Sequence, residues 1–282
     1  MQQRNNSSLP DMPELPEVET TRRGIAPHIT GKKVTRVIVR NPNLRWKVPA
    51  RINSELSGQT IDEVTRRGKY LLLTTAAGSA ILHLGMSGSL RLVDAATPPA
   101  KHDHIDIVFS GRQALRLTDP RRFGSLHWTR RPPLQHKLLC KLGVEPLGDD
   151  YSGDYLYRAS RKRKVAIKQF IMNSHIVTGI GNIYACESLF MAGINPRRAA
   201  GRISRKKYAL LAEVSKEVLN DAIAAGGTTL RDFVNGHGQP GWFKQELHVY
   251  GLAGKPCISC RAPIREIRQA QRSTFYCPVC QK

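Results

Sequence analysis

The sequence predicts an α+β chain, with antiparallel strands in the first half, helices in the second and a metal-bound hairpin at the end. Three observations lead there. Between Val34 and Leu117, short runs of branched and aromatic residues recur, most of them bounded by Gly, Pro or Asp. From Tyr155 to Ala225 the apolar residues fall at helical spacing instead. Close to the C-terminus, Cys257-x2-Cys260 and Cys277-x2-Cys280 form two paired thiol motifs. A length of 282 residues leaves room for about two domains with proper cores.

The first helix is suggested by Val18, Thr21 and Ile25, with Pro16 in its first turn and acidic residues near its positive end. Gly31 then turns the chain into strands: Val34 to Val39, Tyr70 to Leu73, Ser79 to Leu84, His104 to Phe109 and Ala114 to Leu117. Such a series favours an antiparallel sandwich or barrel. Proline and glycine density between Arg130 and Ser152 marks an interdomain connection, with the boundary near 145. Beyond it, Tyr155 to Met172 reads as one helix. Gly179-Ile180-Gly181-Asn182 opens the next, which Gly193 stops. A long helix from Ser204 to Ala225 repeats Tyr208, Leu211, Val214, Val218 and Ala222 on one face and ends at Gly226-Gly227. Thr228 to Phe243, with Gly236, Gly238, Pro240 and Gly241, has the composition of a mobile loop. The expected division is therefore a leader at 1–11, an N-terminal domain at 12–145, a helical domain at 146–245 and a hairpin at 246–282.

Charge narrows the function. Lys plus Arg number 44 against 22 Asp plus Glu, a formal excess of +22. An enzyme of small neutral metabolites has no need of it, whereas a polyphosphate partner releases counterions on binding such a surface. Nucleic acid is the first reading, ahead of an anionic membrane surface or the ribosome. The uncharged run Gln169 to Cys186 is broken by Asn173, Ser174, His175 and Asn182 and is no membrane span. Four of the six cysteines sit in the terminal pairs, and Cys140 and Cys186 stand alone in apolar sequence. That distribution predicts a reducing cytosol, one metal site and two inert thiols.

The residues with chemistry to offer begin at Met12-Pro13-Glu14-Leu15-Pro16-Glu17-Val18-Glu19. Inside a chain Pro13 has an amide nitrogen; at a chain start it is a secondary amine and a good nucleophile. Translation from Met12, followed by trimming, would free it, with Glu14 beside it as a proton shuttle. The competing reading is a plain Pro-rich helix start. Met1 to Asp11 is polar, lacks an apolar core and is unlike a secretion signal, so an over-extended start codon is expected. Further along, Lys69 follows Arg66-Arg67-Gly68 at the start of a strand. Leu84-Gly85-Met86-Ser87-Gly88 puts an unbranched apolar side chain on a Gly-rich hairpin tip, and Asp119-Pro120-Arg121-Arg122-Phe123-Gly124 puts two guanidinium groups and a ring on another turn. His102 and His104 alternate along a strand without further ligands at useful spacing, which argues against zinc there. Arg161 to Lys164, with Lys168, gives the Tyr155 helix a basic face. The opening at Gly181-Asn182 exposes amide hydrogens where a helix dipole favours an anion. Two thiolate pairs sixteen residues apart complete one closed tetrahedral Zn2+ site, structural in kind. Arg261, Arg265, Arg268 and Arg272 between them suit backbone phosphates.

Pro13 to Glu19, followed by Thr20-Thr21-Arg22-Arg23-Gly24, resembles the start of the bacterial formamidopyrimidine-DNA glycosylases, repair enzymes for oxidised purines. The resemblance runs from Met12 to Lys282. It implies an N-terminal β-sandwich with flanking helices, a C-terminal helix-two-turns-helix domain and a zinc-ribbon β-hairpin. It further implies that Pro13 and Glu14 are catalytic, that Lys69 aids proton transfer in elimination and that Arg272 grips phosphates and serves a late elimination step. His102, Arg121, Lys164, Lys168 and Asn182 would contact DNA, while Met86, Arg121 and Phe123 would fill the gap left by an extruded base. The 228–243 loop would close over that base. The partner is then double-stranded DNA with oxidised bases or abasic sites, met by a monomer in the bacterial cytoplasm at the nucleoid. Two rivals stay open: an endonuclease VIII-type enzyme for oxidised pyrimidines, and a non-catalytic zinc-ribbon DNA-binding protein.

Overall fold

The computed structural model describes residues 13–226 and 247–282. Met12, the leader and the loop expected at 228–243 lie outside the described residues. The chain divides into two compact units. Glu17–His136 belong to the first; Glu14–Pro16, with 137–226 and 247–282, belong to the second.

In the first unit, helix α1 (Leu15–Ile29) leads into two four-stranded antiparallel sheets. One has the order β1 (Val34–Val39), β6 (Asp103–Phe109), β7 (Gln113–Thr118), β5 (Ser89–Asp94). The other runs β2 (Glu63–Arg67), β3 (Tyr70–Thr75), β4 (Gly78–His83), β8 (Ser125–Thr129). The sandwich-or-barrel alternative thus resolves as a sandwich. Its core draws on both sheets and on α1: Ile25, Leu71, Leu82, Ile107, Leu115 and Leu126 are at most 2% exposed. A short helix, α2 (Ile52–Leu56), covers the side of β1.

The strands that sequence reading passed over, β2, β5 and β8, all lie at sheet edges. An edge strand packs less completely and carries charge against unwanted pairing, so its period-2 pattern is diluted. Glu63-Val64-Thr65-Arg66-Arg67, with one fully buried residue, is such a strand. The interior strands β3, β6 and β7 were legible because they are apolar for most of their length.

The second unit holds α3 (Gly153–Ser160), α4 (Ile167–Ile171), α5 (Asn182–Met191) and α6 (Arg205–Gly226), and a hairpin of β9 (Arg265–Gln269) and β10 (Arg272–Tyr276). Leu156, Phe170, Leu189, Tyr208 and Leu219 form its core. The single helix expected over Tyr155 to Met172 is two helices, because the chain leaves α3 at Arg161 and Lys162 takes a positive φ of 62°. Residues 163–166 then pair with 199–201: the Gly201 amide donates to the Arg163 carbonyl at 2.9 Å and the Ala200 amide to that of Val165 at 2.9 Å. Four consecutive cations repel within a helix, and this tertiary pairing offers the backbone another set of partners. Cys186 is buried as expected, but Cys140 is exposed: Leu139 takes the inward position, and its neighbour in the turn faces out. No helix among the described residues is long and apolar enough to cross a membrane.

Candidate active site and nucleic-acid interface

Glu14 is 2% exposed, and its carboxylate accepts the amides of Gly181 at 2.7 Å, Ile183 at 3.0 Å and Tyr184 at 3.4 Å. These are first-turn donors of α5, left without helical partners by geometry and sitting at the positive end of the helix dipole. The anion seat expected at Gly181-Asn182 is real, but its occupant is the chain's own carboxylate. Gly181 permits the approach, since a Cβ there would lie 2.2 Å from the Glu14 carboxyl carbon. The Leu15 amide adds a bond to the Gly179 carbonyl at 3.1 Å, so the residues that follow Pro13 are pinned by backbone as well as side chain. Pro13 itself is half-buried.

Asn182 opens α5 and donates from Nδ2 to the Ser273 carbonyl at 3.1 Å and to the Tyr250 hydroxyl at 3.2 Å. The same carbonyl accepts from Lys168 Nζ at 2.9 Å, and Thr274 Oγ1 accepts from it at 2.7 Å. Lys168 therefore does not lie on the basic face of a Tyr155–Met172 helix, where a phosphate contact was expected for it. It is 2% exposed, because α4 is a separate helix that turns this side chain towards the hairpin. Burial holds its ammonium below the ordinary lysine range. Next to Ser273, Arg272 is exposed and, with Lys168, Gln169, Met172, Gln269 and Ala270, lines a cavity of about 250 Å³. Ala270 and Gln271 form the hairpin turn with φ of 46° and 64°. Lys164 is exposed in the loop ahead of α4.

The four cysteine sulfurs lie within 4.8 Å of one another. A tetrahedron of Zn–S bonds near 2.3 Å needs sulfurs about 3.8 Å apart. Cys257 to Cys280 is 3.9 Å and Cys260 to Cys277 is 3.4 Å, so the donor set fits one closed, structural zinc.

In the first unit, Lys69 sits in the two-residue turn from β2 to β3, after Gly68 with φ of 58°. Arg66 braces that turn, donating to the Gly68 carbonyl at 2.8 Å and to Glu19 at 3.2 Å. Burial alone would raise the Glu19 carboxyl, but hydrogen bonds from Arg22 and Arg23 and the charges of Arg22 and Arg66 bring it down to about 2. Met86 is not on a hairpin: β4 and β5 belong to different sheets, and its turn crosses between them. The 119–124 turn, from β7 to β8, makes the return crossing. Because β4 pairs with β8 and β5 with β7, the two crossings run side by side. Met86, Arg121 and Phe123 are thereby gathered on one rim. Phe123 is 40% exposed, with the Arg121 guanidinium 5.1 Å from its ring centre. His102 borders the same turn, its carbonyl accepting the Asp119 amide at 2.9 Å. His104 is buried, and its Nε2 donates to the Asp119 carbonyl at 2.8 Å, a structural task as its strand position suggested.

Comparison with known proteins agrees along the chain. Residues 12–126 match the formamidopyrimidine-DNA glycosylase N-terminal domain, 142–234 the H2TH domain of the same enzymes, and 254–282 the zinc finger found in FPG and IleRS. The chain belongs to the formamidopyrimidine-DNA glycosylase family. It is similar to the formamidopyrimidine-DNA glycosylases of Stutzerimonas stutzeri, at 59% identity, and Thioalkalivibrio sulfidiphilus, at 57%, each over 96% of this chain and 100% of the relative. Among solved structures it resembles the Lactococcus lactis family member in complex with DNA containing N7-benzyl-Fapy-dG, with a TM-score of 0.86, 34% identity, and coverage of 96% of this chain and 100% of that one. The same Lactococcus protein bound to abasic-site DNA gives a TM-score of 0.86, at 34% identity, over 95% of this chain and 99% of that one.

Sequence reading missed three residues that hold these groups in place, Glu187 and Tyr250 in the second unit and Asp119 in the first. Glu187, 2% exposed, accepts the amides of His248 at 2.9 Å, Val249 at 3.0 Å and Tyr250 at 2.8 Å, and so presents Tyr250 to Asn182. A lone acid inside the apolar run Ile183 to Leu189 was the available signal. Tyr250 gave none, its partner Asn182 being remote in sequence; Asp119 bonds Gly124 within its own turn, but its reach to Ser87, 32 residues away, left no mark.

Proposed function

We propose that this chain excises oxidised purines, 8-oxoguanine and formamidopyrimidines, from duplex DNA and then cuts the strand at the resulting abasic site. The observation that carries it is the Glu14 carboxylate locked onto the first amides of α5 directly beside Pro13, in a member of this family. With Pro13 heading the working chain, its ring nitrogen attacks C1′ of the lesion sugar and the base departs. The proton shed by that nitrogen passes through Glu14 to the ring oxygen, which opens the sugar and leaves an iminium. The iminium draws electrons from C2′, so the 3′ phosphate and then the 5′ phosphate leave by successive β and δ eliminations, Lys69 and Arg272 moving protons and holding phosphates. Met86, Arg121 and Phe123 fill the emptied stack, Phe123 as the wedge and Arg121 facing the orphaned partner base, the insertion offsetting a few kcal/mol of unstacking. His102, Lys164 and Asn182 contact the backbone. Lys168, with its ammonium committed to Ser273 and Thr274, supports the hairpin instead. Zinc, held by Cys257, Cys260, Cys277 and Cys280, supplies only the rigidity of the hairpin. In this scheme 12–145 carries the nucleophile and gap-filling turns, 146–245 and 246–282 carry backbone binding, and the work is done at the nucleoid.

A second substrate class is supported by one finding: the Lactococcus relative also forms a complex with DNA containing an oxidised pyrimidine. Borohydride trapping separates the readings. Protein beginning at Pro13 is expected to give a covalent adduct with 8-oxoguanine duplex in preference to an oxidised-pyrimidine duplex, and protein retaining residues 1–12 to give none. No adduct from material whose intact mass shows Pro13 at the N-terminus leaves only a DNA-binding protein.

A further inference from the structure

Asp119 is completely buried, and its carboxylate touches both crossings of the sandwich. Oδ1 accepts from the Ser87 hydroxyl at 2.7 Å, in the Met86 turn; Oδ2 accepts from the Gly124 amide at 2.7 Å, in its own turn. Ser87 Oγ in turn accepts the Arg121 amide at 3.2 Å. Both donors to the carboxylate are neutral groups. Burying a carboxylate on neutral donors is costly, and an Asn or an apolar pair would hold a merely structural bend at less expense. What the carboxyl group adds is two acceptor oxygens on a single planar group, one bonded to each turn, which fixes one turn in register with the other. The backbones are already in close contact there: a Cβ on Gly85 would lie 2.4 Å from the Phe123 carbonyl carbon. A slip of either crossing would therefore carry Met86 away from Arg121 and Phe123.

We infer that Asp119 and Ser87 form a buckle that sets the spacing between Met86 and the Arg121–Phe123 pair, making both of them positioning residues for base extrusion. The inference rests on the gap-filling role assigned above. Its consequence is selective. Extruding a stacked, paired base requires all three probes to arrive together, whereas an abasic sugar has no base to unstack. Loss of the buckle slows excision far more than cutting of a preformed abasic site, and it blurs the choice of opposite base that Arg121 reads.

The test uses the full chain with Pro13 at its N-terminus and single-turnover kinetics on 8-oxoguanine opposite C, 8-oxoguanine opposite A, and an abasic duplex. Ser87→Ala, which removes one hydroxyl from a half-buried position, is expected to slow excision opposite C about tenfold, abasic cleavage no more than about twofold, and to narrow the C-to-A ratio. Ser87→Thr keeps the hydroxyl and restores all three. Asp119→Asn, which turns an amide N–H2 towards one of the donors, is expected to exceed Ser87→Ala; if it fails to fold, the serine pair alone decides. Equal slowing on lesion and abasic duplexes, or no slowing, overturns the buckle while leaving the glycosylase reading intact. An unaltered chain that excises nothing overturns that reading and the buckle with it.

Discussion

Two parts of the molecule each hold out an arginine from a tight turn, and they secure it by opposite means. Arg121 stands on a crossing of the sandwich, beneath which lie Leu84, Leu117 and Leu126 and a buried carboxylate satisfied by neutral donors. Arg272 stands at the tip of a two-stranded ribbon whose small core of Val249, Ile264 and Phe275 could not fold alone. There the support is a four-cysteine cluster on one side and the buried Lys168 ammonium on the other. A large apolar core lets a turn be fixed by hydrogen bonds; a small one must import metal and charge. The two arginines should therefore fail under different treatments.

The largest difference is expected on metal removal. Structural zinc contributes roughly 10 kcal/mol or more in small metal-held modules. Chelation, or Cys277→Ser, should release one zinc per chain, unfold the hairpin and abolish strand cleavage, leaving the melting of the sandwich in place; calorimetry with a zinc assay checks it. A single coincident loss of both units would break the comparison. Next in size is Lys168→Met, which leaves the Thr274 hydroxyl without its donor and the Ser273 carbonyl with Asn182 alone, at a cost of about 1–3 kcal/mol. The elimination steps should slow about tenfold in rapid-quench kinetics, while discrimination of the opposite base, assigned to Arg121 in the proposed scheme, stays as it was.

The smallest effect is a pH dependence confined to the sandwich. His83 Nδ1 accepts the Gly85 amide at 2.8 Å, at the root of the Met86 turn. Burial, with the charges of Lys69 and Arg45, pushes the imidazole down to about 4 from 6.5. Between those values the unfolded chain binds the proton and the folded chain does not, so stability is full above pH 6.5 and declines as pH falls towards 4. Imidazole NMR should find His83 neutral at pH 5, and His83→Gln should flatten the decline. A His83 that titrates near 6.5 would mean that the Met86 turn is not held by this bond.

Much of this was visible in the order of residues. An interior strand such as β6 stands out as a mostly apolar run because every residue in it is buried, and the helix carrying Tyr208 and Leu211 shows its period because burial repeats along it. Edge strands such as Glu63–Arg67 do not, because only one side of their face is packed. The placement of Lys168 on a basic helix face did not hold, since a helical wheel drawn through Tyr155 to Met172 assumes a continuous helix that the chain leaves at Arg161.

By itself, the sequence determined whatever depends on spacing within one segment: the four metal-binding thiols, the central strands, the cationic excess and the amide-rich start of α5. Tertiary structure alone decided which group meets which. That the anion at α5 is Glu14, 167 residues earlier in the chain, and that Ser87 reaches Asp119 across 32 residues, leaves no periodic trace. Hydrogen bonds between distant residues are set by where the packed core carries their backbones, and no local pattern of side chains records that path.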